Sequence, residues 1–141
     1  MTVSSSINFA SRLAFACAAA ILTAIVMAKN PVAASTATVA ALPAGNATNG
    51  QKLYAICMGC HSIDENDVGP RHRGVVGRAA GRVPGYAYSP ALAASRIVWT
   101  PQAIDQWLRG PSKMVPGTKM FFSVAKARDR ADIIAYLATQ K

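Results

Sequence analysis

The residues with the most chemistry in this 141-residue chain lie within five positions, Cys57-Met58-Gly59-Cys60-His61. Two thiols three positions apart share one side of a helical turn, where each can add across one vinyl group of a haem while the adjacent imidazole comes under the porphyrin to bind iron. Two other chemistries use paired cysteines. A thioredoxin-like redox pair needs a βαβ context, and half of a zinc site needs a second Cys or His pair. The sequence offers neither, because the remaining cysteine, Cys17, lies far upstream in an apolar run.

Iron held by one histidine needs a sixth ligand or keeps an open position for catalysis. Of five methionines, Met1 and Met27 belong to the N-terminal segment, and Met58 sits between the attachment cysteines on the His61 side. Met114 and Met120 remain. Met120 closes Pro116-Gly117-Thr118-Lys119-Met120, a turn-rich segment able to hold a side chain over a ring, whereas Met114 precedes it in Lys-Met-Val-Pro. The ordinary use of a methionine is adaptable core packing. The second histidine, His72, stands between Arg71 and Arg73. A single imidazole without partner ligands is a poor metal site, so solvation or a local hydrogen bond is expected for it.

Three helices must carry these groups. Asn46 can cap a helix from Ala47 towards Ile56, with Leu53, Tyr54 and Ile56 as its apolar residues. Thr100-Pro101 is an N-cap followed by proline at the first helical position, and Ile104, Trp107 and Leu108 share a face before Gly110-Pro111 ends the helix. Arg128 to Ala138 places Ile133, Tyr136 and Leu137 at helical spacing, with Ile134 beside them. Between the first two helices, Ser62 to Ser89 holds seven glycines and prolines and no sustained period. Such a long irregular stretch is unusual in a small domain unless it orders against something, and a haem would supply that apolar surface. There is no alternating strand pattern, internal repeat, phosphate loop or nucleophile elbow.

The chain's length allows one domain with a modest core and excludes a multidomain enzyme. Hydrophobic residues reach 52%, but much of the excess is alanine in the first forty positions. There, Met1 to Arg12 forms a basic polar start and Leu13 to Ala28 an uncharged apolar run, short of the ~20 residues that cross a bilayer comfortably. An export signal over residues 1–34 is expected, cleaved after Val32-Ala33-Ala34, with Val39-Ala40-Ala41 as a second candidate. The alternative is an uncleaved membrane anchor, and membrane contact is expected only in that case. Residues 35–45 then form an Ala/Thr/Pro-rich linker and 46–141 the folded domain. The whole chain carries +9, and loss of Arg12 and Lys29 with the signal leaves +7, so an acidic partner surface is implied. No recognition motif supports specific nucleic-acid binding.

The chain also resembles class I cytochrome c, of the mitochondrial and short bacterial type. The resemblance rests on Cys57-Met-Gly-Cys-His61, Gly69-Pro70, Gly77-Arg78, Pro84-Gly85-Tyr86-Ala-Tyr88, Trp99, Val115-Pro-Gly-Thr-Lys-Met120 and Arg130-Ala-Asp-Ile-Ile-Ala-Tyr136-Leu137, in family order across 46–141. It implies an all-α, haem-wrapped fold with Gly50 and Tyr54 packing near Tyr136, and one covalent haem c on Cys57 and Cys60. It implies His61 and Met120 as axial ligands, the Pro70 carbonyl as acceptor for the His61 Nδ1 proton, and Arg78, Tyr88 and Trp99 as partners of a haem propionate. Thr118, inside the methionine segment, belongs to the same cofactor site by resemblance.

This sequence departs from the family pattern at four places. Trp107 stands where the mitochondrial type usually has a tyrosine near the methionine sulfur, so that hydroxyl bond does not carry over. Leu92 replaces an asparagine often found in the interior polar network, the loop from His61 to Gly69 is short, and Ser112-Lys113 replaces two adjacent lysines. The implied function is an exported, periplasmic electron carrier between a quinol:cytochrome c oxidoreductase and a terminal oxidase or other exported redox enzyme, not itself an enzyme. The alternative is a peroxidase-like haem enzyme or sensor with a labile methionine.

Overall fold

The computed structural model describes residues 41–141, so the expected export signal over 1–34 and residues 35–40 of the expected linker lie outside the described residues. Helix α1, Ala47–Leu53, begins where the extended backbone of Asn46 lets its side chain accept the Asn49 amide at 2.9 Å. The chain then tightens into a 3-10 turn at Tyr54–Ile56. That turn changes the expected apolar face. Gly50 and Tyr54, four residues apart, are buried, whereas Leu53 is half-buried and Ile56 is exposed.

Helix α5, Ala127–Thr139, is one residue longer at each end than its hydrophobic spacing suggests. It buries Ile133, Ile134 and Leu137, side chains that each contribute about 1.5–3 kcal/mol by leaving water. α1 lies against α5 so closely that a Cβ on Gly50 would collide with the Asp132 carbonyl, which only glycine avoids. The Tyr54 and Tyr136 rings meet there with centroids 5.2 Å apart. Asp132 also accepts the Asn46 backbone amide and the Asn49 side-chain amide, both at 2.7 Å, tying the start of α1 to α5.

Residues 62–89 contain no helix, as their glycines and prolines suggest. Among the described residues the single β pairing is an isolated bridge between Ala79 and Val98. Two four-residue helices are too short to show a period in the sequence. α2 is Pro90–Ala93, capped by the Ser89 side chain, which accepts the Leu92 amide at 3.2 Å. α3 is Pro101–Arg109, capped by Thr100, and it buries Ile104, Trp107 and Leu108 before ending at Gly110. α4, Pro111–Met114, follows directly.

α3 also buries a charge. Asp105 accepts from Arg130 of α5 at 2.7 Å and from Arg109 at 2.9 Å. The Arg130 guanidinium donates as well to the Val124 and Ala125 carbonyls, at 2.9 and 2.7 Å. One buried ion pair therefore holds the segment after Met120 against two helices, and removing a single partner would cost roughly 3–5 kcal/mol by stranding the other charge.

Candidate functional site

A central cavity of about 500 Å³ is bordered by all nine residues expected at the site: Cys57, Cys60, His61, Pro70, Arg78, Tyr88, Trp99, Thr118 and Met120. Met114 instead borders a small surface groove with Arg109 and Lys113, and Met58 is exposed. Apolar groups that the motifs did not single out complete the wall, notably Val75 and, from α3 and α5, Ile104, Leu108, Ile133 and Leu137. For the four helical residues the signal lay in periodicity, which marks a core face without saying what the core encloses, whereas Val75 sits in the irregular loop and carried no such signal.

The thiols and His61 sit at the end of the α1 turn, where the His61 amide bonds back to the Cys57 carbonyl at 2.9 Å. Burial, then the neighbouring Cys60, pushes the Cys57 thiol up to about 11. Among the described residues no three His, Cys, Asp or Glu side chains converge, which leaves no zinc set there.

His61 Nδ1 lies 2.8 Å from the Pro70 carbonyl. A carbonyl only accepts, so Nδ1 carries the proton and Nε2 keeps its lone pair for a metal. Burial holds the His61 pKa below the ordinary histidine value against the opposing effects of Pro70 and Asp67, which preserves that neutral form. Gly69 presses on the ring so closely that a Cβ would overlap Cε1, Nδ1 and Nε2.

Met120 is held by a bond the sequence did not disclose. Trp107 Nε1 donates to Met120 Sδ at 3.1 Å, so the indole N–H supplies a donor to the sulfur in place of the missing hydroxyl. Trp99 packs edge-on to Trp107 with centroids 5.1 Å apart and fixes its plane. Thr118 is buried, and Lys119 Nζ donates to the Ala87 carbonyl at 2.8 Å, closing the segment over the loop before α2.

The expected propionate partners differ in their commitments. Tyr88 Oη accepts the Val83 amide at 3.3 Å, which leaves its own proton to donate. Arg78 gives two guanidinium nitrogens to the Arg73 and Arg71 carbonyls at 2.8 and 2.9 Å, so it braces the loop while bordering the cavity. Leu92, buried at the cavity wall, is apolar where an interior network would need an amide. His72 follows the expectation of a local bond: its Nδ1 is 2.9 Å from Tyr54 Oη.

An apolar cavity with two adjacent free thiols, a neutral imidazole presenting Nε2 and one thioether is a donor set that fits covalently attached haem and no other common cofactor. Residues 47–141 match the family model described as cytochrome c. The chain belongs to the cytochrome c family. Similar relatives include cytochrome c of Euglena viridis, 48% identical over 101 residues spanning 69% of this chain and 99% of the relative. Cytochrome c2 of Rhodopila globiformis is 47% identical over 103 residues, spanning 70% and 97%. Among solved structures, cytochrome cH from Methylobacterium extorquens is 46% identical with a TM-score of 0.66, covering 67% of this chain and 99% of that one. As a cytochrome c, the chain takes one covalent haem c, has the all-α fold of the family and serves as an electron carrier.

Proposed function

We propose that this cytochrome c is an exported carrier of single electrons whose iron is bound by His61 and Met120. The supporting observation is that one cavity is bordered by an imidazole with Nε2 free and by one methionine, Met120, whose sulfur is fixed from behind by Trp107. When bound, haem supplies a one-electron iron couple, and thioether ligation favours its ferrous form. Cys57 and Cys60 would hold the group in place, Pro70 keeps the His61 proton on Nδ1, Tyr88, Arg78 and Trp99 would serve as propionate partners, and Thr118 borders the same cavity. With both axial positions filled by protein, nothing is left for peroxide or a substrate to occupy, which favours the carrier over the haem-enzyme or sensor alternative.

Residues 1–34 serve as the export signal, or as an anchor if uncleaved, 35–45 as linker, and 46–141 as the carrier domain in the periplasm. The partners are acidic docking surfaces on a quinol:cytochrome c oxidoreductase and on a terminal oxidase or other exported redox enzyme, met by the exposed Lys113, Lys119 and Lys126 flanking the Met120 segment. The test is a pair of variants. Met120→Ala loses the thioether-to-iron charge-transfer band of the ferric protein and drops the reduction potential, whereas Met114→Ala keeps both. A band lost in Met114→Ala and kept in Met120→Ala overturns the ligand assignment.

A further inference from the structure

His72 lies outside the expected attachment and ligand set, yet its ring is stacked on His61, with centroids 4.1 Å apart and planes within 19° of parallel. The stack is anchored. Tyr54, buried between α1 and α5, bonds to His72 Nδ1 at 2.9 Å and meets the same ring edge-on at 5.8 Å. The loop around His72 is fixed as well, because its amide donates to the Ser62 carbonyl at 2.9 Å and the Arg73 amide to the Ile63 carbonyl at 2.7 Å.

From these contacts we infer that His72 is a positioning residue for the axial imidazole, setting the rotation of the His61 ring about its bond to iron. The Pro70 hydrogen bond fixes one nitrogen of that ring and the Gly69 backbone presses on it, which together still leave part of the rotation of the plane unset. A flat neighbour lying parallel on the face removes that freedom. Tyr54 in turn keeps His72 from turning, so the line from the helix crossing to the metal ligand runs Tyr54, His72, His61.

The inference rests on His61 as the ligand, and its test reads ring orientation separately from ligation. In a low-spin ferric haem the imidazole plane selects the π orbital that carries the unpaired electron. The spread and order of the four haem-methyl proton shifts report that plane together with the sulfur lone-pair direction, so the charge-transfer band checks that the thioether is bound and the Met120 proton contacts to the haem check that its orientation is unchanged. Two variants of the full holoprotein are compared with wild type. His72→Leu keeps apolar bulk without a plane to stack on, and Tyr54→Phe keeps the His72 ring without its anchor. The expected result is a reordered or compressed methyl pattern in His72→Leu, a smaller change in the same direction in Tyr54→Phe, and an unaltered charge-transfer band in both. Should His72→Leu fail to yield holoprotein, Tyr54→Phe decides alone. A wild-type methyl pattern in the deciding variants overturns the positioning role. A methionine-ligated, low-spin spectrum surviving His61→Ala would instead overturn the ligand assignment beneath it.

Discussion

Replacing Trp107 by phenylalanine isolates the contribution of one N–H to the redox behaviour of the site. Trp107 is buried, its indole N–H lies 3.1 Å from Met120 Sδ, and the edge-on contact with Trp99 can survive in a phenyl ring. An indole nitrogen only donates, so the bond always draws electron density from the sulfur. A sulfur so engaged is a poorer donor to ferric iron, and losing the N–H should favour the ferric state. A typical net hydrogen bond is worth about 0.5–1.5 kcal/mol, and sulfur is a weak acceptor, so the lower half of that range applies. For a one-electron couple, 59 mV corresponds to about 1.4 kcal/mol, which converts the expected difference to roughly 20–40 mV. Equilibrium redox titration of Trp107→Phe against wild type at neutral pH should thus show a decrease of that order. An unchanged or raised potential would mean that the indole does not bias the sulfur towards ferrous iron.

Three further outcomes follow from the same structure. Cys57→Ala or Cys60→Ala should each leave at most one thioether, and the double variant should release its haem completely into acidic organic solvent; haem retained there would remove the attachment assignment. Electron exchange with an acidic redox partner should slow as salt rises, since steering fades beyond a Debye length of ~8 Å at physiological ionic strength, and Lys119→Glu should slow it more than Lys141→Glu at low salt; equal slowing would leave only overall charge as the cause. Asp132 is held below the usual carboxylate range, first by the Asn49 side chain and then by the Asn46 amide, so the stability it contributes is complete above the unfolded value of ~3.9 and lost as pH falls through the folded value. Acid denaturation followed by circular dichroism should accordingly be less steep in Asp132→Asn, and an identical acid transition would show that this carboxylate does not couple α1 to α5.

The parts legible in the sequence are those whose cause is local. Asn46 and Thr100 announce helix starts through their own side chains, and the Ile133 to Leu137 spacing marks the buried face of α5. Ser89-Pro90 carries the same cap-and-proline signal as Thr100-Pro101, but the four residues of α2 are too few to show a period beside it. What stayed hidden depends on distant chain segments. No spacing marks Asp105 and Arg130 as partners, yet they meet in the interior across 25 residues. The Trp107 bond to Met120 and the stacking of His72 on His61 likewise follow from how loops close over the cavity, which no spacing encodes. The 3-10 turn at Tyr54 explains why Ile56 points away from the helix interface and borders the cavity instead.

Under the proposed ligation, protein side chains fill both axial positions, which suits a carrier and leaves no coordination chemistry to substrates. Carbon monoxide tests it directly, because it binds ferrous haem only where a position is open. Titration of the reduced, full-length wild-type protein with carbon monoxide at neutral pH should leave the Soret spectrum unchanged. Stoichiometric formation of a carbon monoxide complex would contradict the account and return the protein to the haem-enzyme or sensor class.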